Sequence, residues 1–460
     1  MPRIGQHAVV CGASMAGLLA ARVLTDHYDR VTVIERDTLV DEPVARRGVP
    51  QGCQPHALLA RCAVILDDLF PGFLDELVAE GAHRWDDGDM SRFDISFGGH
   101  NLLRTGRMPE PESLVQHYSS RPLLEHLVRR RVRALPEVTI LDGRHVDTLM
   151  TEGSRVTGVV VSGKEDASTQ LAADLVVDAS GRGSRTPAFL AELGYGRPEV
   201  EELTIRVAYA SMPVRLPQEG LRENMIVRMF EPGRPRGFVM FRCEGDVWLI
   251  AAGTLGAIRP PTTAAELLDF GEGIAPAYAL AAARAAEPLG PVAVHQYPSN
   301  RWRRYDKMKR MPDGFVVVGD AACSFNPIYG QGMTIAAIEA TVLGDCLRSG
   351  DADLPHRFHR TAAKSIRVAW QTAVGSDLAL PEVPGRQSLS MRMTNLYTDR
   401  VLRAAEVDAL VTRDFLRVVG MLAPPAQLMH PAFVARVIRG QRRRAATGAA
   451  AEAALTATGR

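Results

Sequence analysis

Residues 7–17 read His-Ala-Val-Val-Cys-Gly-Ala-Ser-Met-Ala-Gly, and residues 30–35 read Arg-Val-Thr-Val-Ile-Glu. The apolar run 7–11 predicts a short buried strand. The small and apolar residues of 15–26 predict a helix, and the β-branched run 30–35 predicts a second strand. Strand, helix and strand in this order imply a parallel pair joined by a right-handed crossover.

The turn inside this unit carries chemistry. Gly12-Ala-Ser-Met-Ala-Gly17 matches the G-x-G-x-x-G dinucleotide fingerprint at its first and third glycines. Glu35, 18 residues beyond Gly17, supplies the acidic group expected about 20 positions on. Gly12 makes the tight turn and Gly17 lets the helix pack on the strand. The helix N-terminus, with Ser14, Met15 and Ala16, offers backbone amides to a pyrophosphate. Glu35 would accept hydrogen bonds from ribose hydroxyls, and Arg36 beside it is a further cofactor-binding candidate. Ser14 replaces the middle glycine: its side chain crowds the phosphate approach, although its hydroxyl has a hydrogen bond to give. A plain tight turn before a helix would explain the same six residues taken alone.

Outward from this unit, the chain of 460 residues is long enough for two or three structural units. Hydrophobic residues at 46% and charged residues at 23% fit a soluble globular protein, and a net charge of +1 gives no reason to expect a nucleic-acid partner. No apolar run approaches about 18 residues, and the early strand leaves no room for a leader, so a cytoplasmic protein is expected. The six cysteines form no C-x-x-C pair and read as reduced thiols.

Helices are predicted over 56–69, 119–134 and 331–348, with a Pro-, Gly- and Arg-rich loop over 41–56. Short strands alternate with turns over 138–178. Runs at 225–230, 236–243 and 246–253 predict an antiparallel sheet separate from the parallel one. A strand returns at 314–319. Helices broken by prolines are expected from 356 to 440, then a fraying tail over 446–460.

Residues 314–333 read Gly-Phe-Val-Val-Val-Gly-Asp-Ala-Ala-Cys-Ser-Phe-Asn-Pro-Ile-Tyr-Gly-Gln-Gly-Met. This segment resembles the second flavin motif of the group A flavoprotein monooxygenases, the family with the para-hydroxybenzoate hydroxylase fold. The resemblance implies that Asp320 contacts the ribityl chain of FAD, and that Pro327, Gly330, Gly332 and Met333 shape a loop near the flavin ring. Residues 174–185 (Ala-Asp-Leu-Val-Val-Asp-Ala-Ser-Gly-Arg-Gly-Ser) resemble the family's middle motif, with Ser180-Gly181 where Asp-Gly is usual. Arg121 heads a helix resembling the one that reaches the FAD backbone. Arg47 falls in the loop where such proteins place an arginine by the cofactor. The wording of the chain is most similar to squalene-epoxidase-like and polyether polyene epoxidases of bacterial secondary metabolism.

The resemblance implies an α/β fold: a Rossmann-type FAD-binding domain, an inserted antiparallel-sheet substrate domain and a helical C-terminal region. The expected division is FAD-binding parts at 1–75, 116–190 and 301–350, substrate segments at 76–115 and 191–300, helices at 351–445 and a tail at 446–460. In the family NADPH or NADH reduces FAD, oxygen adds to give a flavin hydroperoxide, and one oxygen atom passes to the substrate. No protein nucleophile is needed, so no catalytic residue is expected outside the cofactor.

Met225, Met229, Phe238, Met240 and Phe241 could line an apolar pocket or form an ordinary sheet core. The resemblance favours epoxidation of alkenes in an apolar secondary metabolite. A phenol hydroxylase and a flavin-dependent isoprenoid reductase are the alternatives. The four tryptophans (85, 248, 302 and 370) supply no W-x-W pair, which argues against halogenation. His56, His83, His100 and His295 are polar candidates for the pocket, and Arg442-Arg443-Arg444 reads as a solvated charge run.

Overall fold

The computed structural model describes residues 3–163, 167–217 and 220–442. Strand Gly5–Cys11, helix Met15–Leu24 and strand Tyr28–Ile34 form the expected unit, with the strands parallel from Gly5 opposite Tyr28 to Cys11 opposite Ile34. Leu175–Asp178 pairs on the far side of the first strand, Phe315–Val317 lies beyond it, and Val138–Leu141 closes the other edge. All four pairings are parallel, and strands of this kind are buried on both faces. The sheet therefore brings three distant segments to one carboxyl edge. They are the turn at Gly12, the turn at Ala179 and the turn at Gly319.

One face is covered by helices Met15–Leu24, Arg121–Arg133 and Gln331–Arg348, which share a core with Val10, Val33 and Val316. The other carries an antiparallel three-stranded sheet, Arg144–Glu152, Arg155–Gly163 and Thr169–Ala172. The close packing explains the fingerprint. A Cβ on Gly12 (φ +116°) would lie 2.5 Å from the Ala179 carbonyl oxygen, and one on Gly17 would lie 1.8 Å from the Gly12 carbonyl oxygen.

The second large sheet is built on Val200–Arg215, flanked by Ala293–Arg303 and Val247–Leu255. It continues through Arg236–Arg242 and Met225–Arg228 to Phe93–Phe97. The three predicted runs pair antiparallel as expected, and among the described residues the one parallel junction of the sheet is between Met225–Arg228 and Phe93–Phe97, a strand outside those runs. Phe93–Phe97 arrives from a separate insertion, so no hairpin forces it antiparallel. Two helices, Ala264–Phe270 and Ala277–Arg284, cover one face of this sheet and were not foreseen. Their Leu267, Ala279 and Ala283 pack on Phe238, Met240, Trp248 and Ile250.

The helix predicted over 56–69 begins only at Ala60. The preceding residues run extended beside the large sheet, where Ser211 donates to the Cys53 carbonyl at 2.6 Å, and Leu58 bridges to His117 of the separate two-stranded pair His83–Trp85 and Gln116–Tyr118. The C-terminal region is helical as expected: Leu354–Asp377 packs on Gln331–Arg348. Leu389–Ala405, Ala409–Val419 and the helical stretch 431–442 pack on the far end of the large sheet through Val401, Phe415 and Phe433. The tail 446–460 and Arg443 and Arg444 of the basic run lie outside the described residues.

Gly17→Ala should lower stability by about 1–3 kcal/mol, since the new methyl forces the helix off the strand. Gly375→Ala, in the last helix-spanning region before Asp377 with open space around it, should be neutral or stabilising. Thermal melts of both variants check this, and equal melting temperatures would contradict it.

Candidate active site

A cavity of about 600 Å³ opens at the carboxyl edge of the parallel sheet. Gly12, Ser14, Met15, Ala16, Glu35, Arg36, Arg121, Asp320, Pro327, Gly330, Gly332 and Met333 all line it. Gly17 stands behind them, buried against the Gly12 carbonyl. Arg47 is exposed and does not line the cavity; its neighbour Arg46 does. The reason lies in the loop: Gly48 donates its amide to Asp37 at 2.6 Å, and this turns Arg46 inward.

Arg46 ties together the groups around the first turn. It donates to Glu125 at 2.8 Å, to Asp37 at 3.0 Å and to the Ala13 carbonyl at 3.0 Å, and pairs with Glu35 at 3.1 Å. Glu35 also accepts from the amides of Ala13 (2.9 Å) and Asp37 (3.0 Å), so its carboxylate is fixed at the end of its strand. Ser14 does not cap its helix. Its hydroxyl donates to Glu125 at 2.9 Å and accepts from Arg121 at 3.0 Å, which draws the side chain to the cavity wall. Burial works to raise the Glu125 pKa, but Arg121 and Arg46 overcome it and hold the carboxyl down at about 2. Glu125 thus stays ionised and aligns both guanidiniums.

The second loop closes the opposite wall. Gly319 sits at φ +62°, and a Cβ there would meet Ala16 Cβ at 2.7 Å, so the Gly319–Asp320 turn abuts the first helix. Burial raises the pKa of Asp320, with Arg182 foremost among the opposing cations. Gly330, at φ +65°, starts helix Gln331–Arg348, whose first turn faces the cavity and favours negative charge there. Glu339, 2% exposed, accepts the Gly319 amide at 2.7 Å; burial pushes its pKa up to about 8 against that bond, helped by Asp320.

The middle motif is a turn folded around one carboxylate. Asp178 accepts from the Ser180 amide at 2.9 Å and from the hydroxyls of Ser180, Ser184 and Thr186, each at 2.5 Å. The serine that replaces the usual aspartate is used inside the turn. Arg182 was not foreseen. It reaches across to the large sheet, donating to Ser324 at 2.6 Å, Ser299 at 2.7 Å and the Tyr297 hydroxyl at 3.1 Å, and stacks 4.7 Å above the Tyr297 ring. Its only sequence signal was a guanidinium between Gly181 and Gly183.

Of the four candidate histidines, His56 and His295 line the cavity, as does His145, which the sequence did not single out. His83 is tied to the Gly245 carbonyl at 2.9 Å, and His100 lies between Glu406 (2.8 Å) and Asp399 (2.9 Å). The methionine and aromatic face does not form the cavity wall. Phe238 and Met240 belong to the core under the two unforeseen helices, and Met229 packs toward the C-terminal helices. Met225 and Phe241 border a separate small cleft, which shares His56 and Ala57 with the lining of the main cavity.

Glu339→Gln keeps an acceptor for the Gly319 amide and removes the titration. A raised acid pKa means the fold prefers the neutral form, so its contribution is complete below about pH 4.5 and is lost as pH rises to about 8. The variant should therefore melt above the wild type at about pH 8, the two curves converging toward pH 4.5. Thermal melts across that range check it, and parallel curves would refute it.

The residues fit FAD. The glycine contacts leave room for backbone, not side chains, at the turn. Arg121 keeps its buried Nε unpartnered within the protein while its Nη2 is held by Ser14 and Glu125. Among the described residues no helix is long and apolar enough to cross a membrane. The FAD binding domain family matches residues 6–350. Protein Rv3254 of Mycobacterium tuberculosis is 37% identical over 90% of each chain. The 6-methylpretetramide 4-monooxygenase of Streptomyces rimosus is 28% identical over 81% of this chain and 83% of its own. The p-nitrophenol 4-monooxygenase of Pseudomonas putida shares the fold, with a TM-score of 0.65 at 17% identity over 90% of this chain and 97% of that one. The chain belongs to the FAD binding domain family, and it is a group A flavin-dependent monooxygenase that uses NAD(P)H as reductant.

Proposed function

We propose that this monooxygenase hydroxylates a phenol-bearing, largely apolar aromatic metabolite in the cytoplasm. The observation that carries the reading is the pair of neutral imidazoles on the cavity wall. Burial and then Arg121 push the His56 pKa down to about 4, and burial and then Arg182 lower that of His295. His56 is fixed through Nδ1 to the Gln54 carbonyl at 2.8 Å. Neutral imidazoles accept a proton from a ring hydroxyl, the activation that phenol hydroxylation requires and epoxidation does not. The expectation of epoxidation rested on the resemblance, and Phe238 and Met240, which could have added an apolar wall in its favour, form ordinary sheet core. The relative named for a monooxygenase reaction on 6-methylpretetramide supports the same direction.

Bound FAD supplies the oxygen-activating redox chemistry. The residues of this chain do the rest. Arg121, Ser14 and Glu35 would hold its diphosphate and ribose, and Asp320 and the first turn from Gly330 would face its ribityl chain and ring. His56 and His295 would orient the substrate hydroxyl and take its proton.

Incubation with candidate phenols and polyenes, NAD(P)H and labelled oxygen should give a ring-hydroxylated product carrying one labelled atom. An epoxide would move the assignment to alkenes. An unlabelled product with two added hydrogens would make the enzyme a reductase.

The double variant His56→Ala with His295→Ala should lower kcat/KM for the phenol by roughly 100-fold or more, with little change in substrate-free NAD(P)H oxidation. In the wild type, kcat/KM should not fall through His56 titration down to about pH 5.5, where an ordinary histidine is already mostly protonated. A fall with an apparent pKa near 6.5 that is absent in His56→Ala would overturn this role for His56.

A further inference from the structure

Asp377 is the last residue of helix Leu354–Asp377, outside the span matched by the flavin family. It is 0% exposed, and no ion pair to it is found among the described residues. A buried carboxylate at a helix C-terminus is disfavoured twice, by desolvation and by the helix dipole. Three donors hold it there: Asn300 Nδ2 at 2.5 Å, Tyr329 hydroxyl at 2.7 Å and Asn326 Nδ2 at 3.0 Å. Burial raises its pKa, and these three bonds oppose that shift.

All three donors belong to the frame of the flavin loop. Asn326 lines the cavity and caps the short turn Pro327–Tyr329 by accepting the Ile328 amide at 3.3 Å. Its own amide donates to Asn300 Oδ1 at 2.5 Å, and its Oδ1 also accepts the Tyr209 hydroxyl. Every polar atom of the Asn326 side chain is thereby used. Tyr329 ends the same turn, immediately before Gly330. Asn300 lies on the large-sheet strand Ala293–Arg303 and is 0% exposed. One carboxylate from the C-terminal region thus joins the large sheet to the turn that Pro327 and Gly330 present to the cavity.

We propose that Asp377 is a positioning residue for the FAD site, fixing the Asn326–Gly330 loop through Asn326, Tyr329 and Asn300. The inference is independent of the substrate, so failure of the phenol assignment leaves it intact. Removing the carboxylate leaves buried donors short of an acceptor, which loosens the loop.

The test is FAD titration of flavin-stripped protein by fluorescence quenching, with the visible spectrum of bound flavin and thermal melts alongside. Asp377→Asn should weaken FAD binding roughly 10- to 100-fold and shift the visible flavin bands. Tyr329→Phe, which removes one donor and leaves the core filled, should show a smaller change in the same direction. The double variant Asp377→Asn with Asn326→Asp returns one carboxylate to the same pair and should recover most of the affinity. If Asp377→Asn does not fold, Tyr329→Phe and the exchanged pair decide alone. Wild-type FAD affinity and spectrum in the single variants that fold, with only the melting temperature lowered, would overturn the proposal. So would an exchanged pair that folds and binds no better than Asp377→Asn.

Discussion

Three segments from distant parts of the chain meet within contact of one short turn, and they can do so only because glycine stands where each would collide. A Cβ at Gly12 would strike the Ala179 carbonyl, one at Gly17 the Gly12 carbonyl, and one at Gly319 the Ala16 side chain. These contacts set the spacing between the first helix, the middle turn and the second loop. Everything at the cavity follows from that spacing. The parallel sheet supplies the common edge, and the missing side chains let backbone amides and the two helix N-termini stand at it.

Electrostatics then divides the cavity. Near the first turn, Arg46 and Arg121 are held by Glu35, Asp37 and Glu125 in a buried cluster. Such a cluster persists because each charge has a partner, and removal of one member would strand the rest. Toward the large sheet, Arg182 stacks on Tyr297, and the imidazoles of His56 and His295 stay neutral in the field of the arginines. Burial, aided by the cations that suit an anionic cofactor, thus keeps the imidazoles in the proton-accepting form.

The parts of this arrangement written in local pattern were legible in the sequence. The first strand, helix and strand obey periodicities of two and 3.6 residues, and Glu35 follows from the length of that unit. Asp320 and the Gly330–Met333 turn were legible through a contiguous motif. What escaped depends on contacts far apart in the chain. Arg46 rather than Arg47 faces the cavity because Gly48 bonds to Asp37, a pairing that no local rule specifies. Arg182 gains its place from Ser299 and Ser324, more than a hundred residues away. The alternation of Phe238 and Met240 predicts that they share one face, but not that two helices cover it.

That covering has a consequence for the substrate. With Phe238 and Met240 sealed in the sheet core, the large sheet meets the cavity through His295, Tyr297 and Pro298 of strand Ala293–Arg303, and Met225 and Phe241 border only a small cleft beside His56 and Ala57. The junction there is between a polar backbone segment, fixed on the sheet by Ser211, and a half-buried apolar rim. On the proposed reading a ring hydroxyl would pair with an imidazole that a bare polyene would leave desolvated and unpaired.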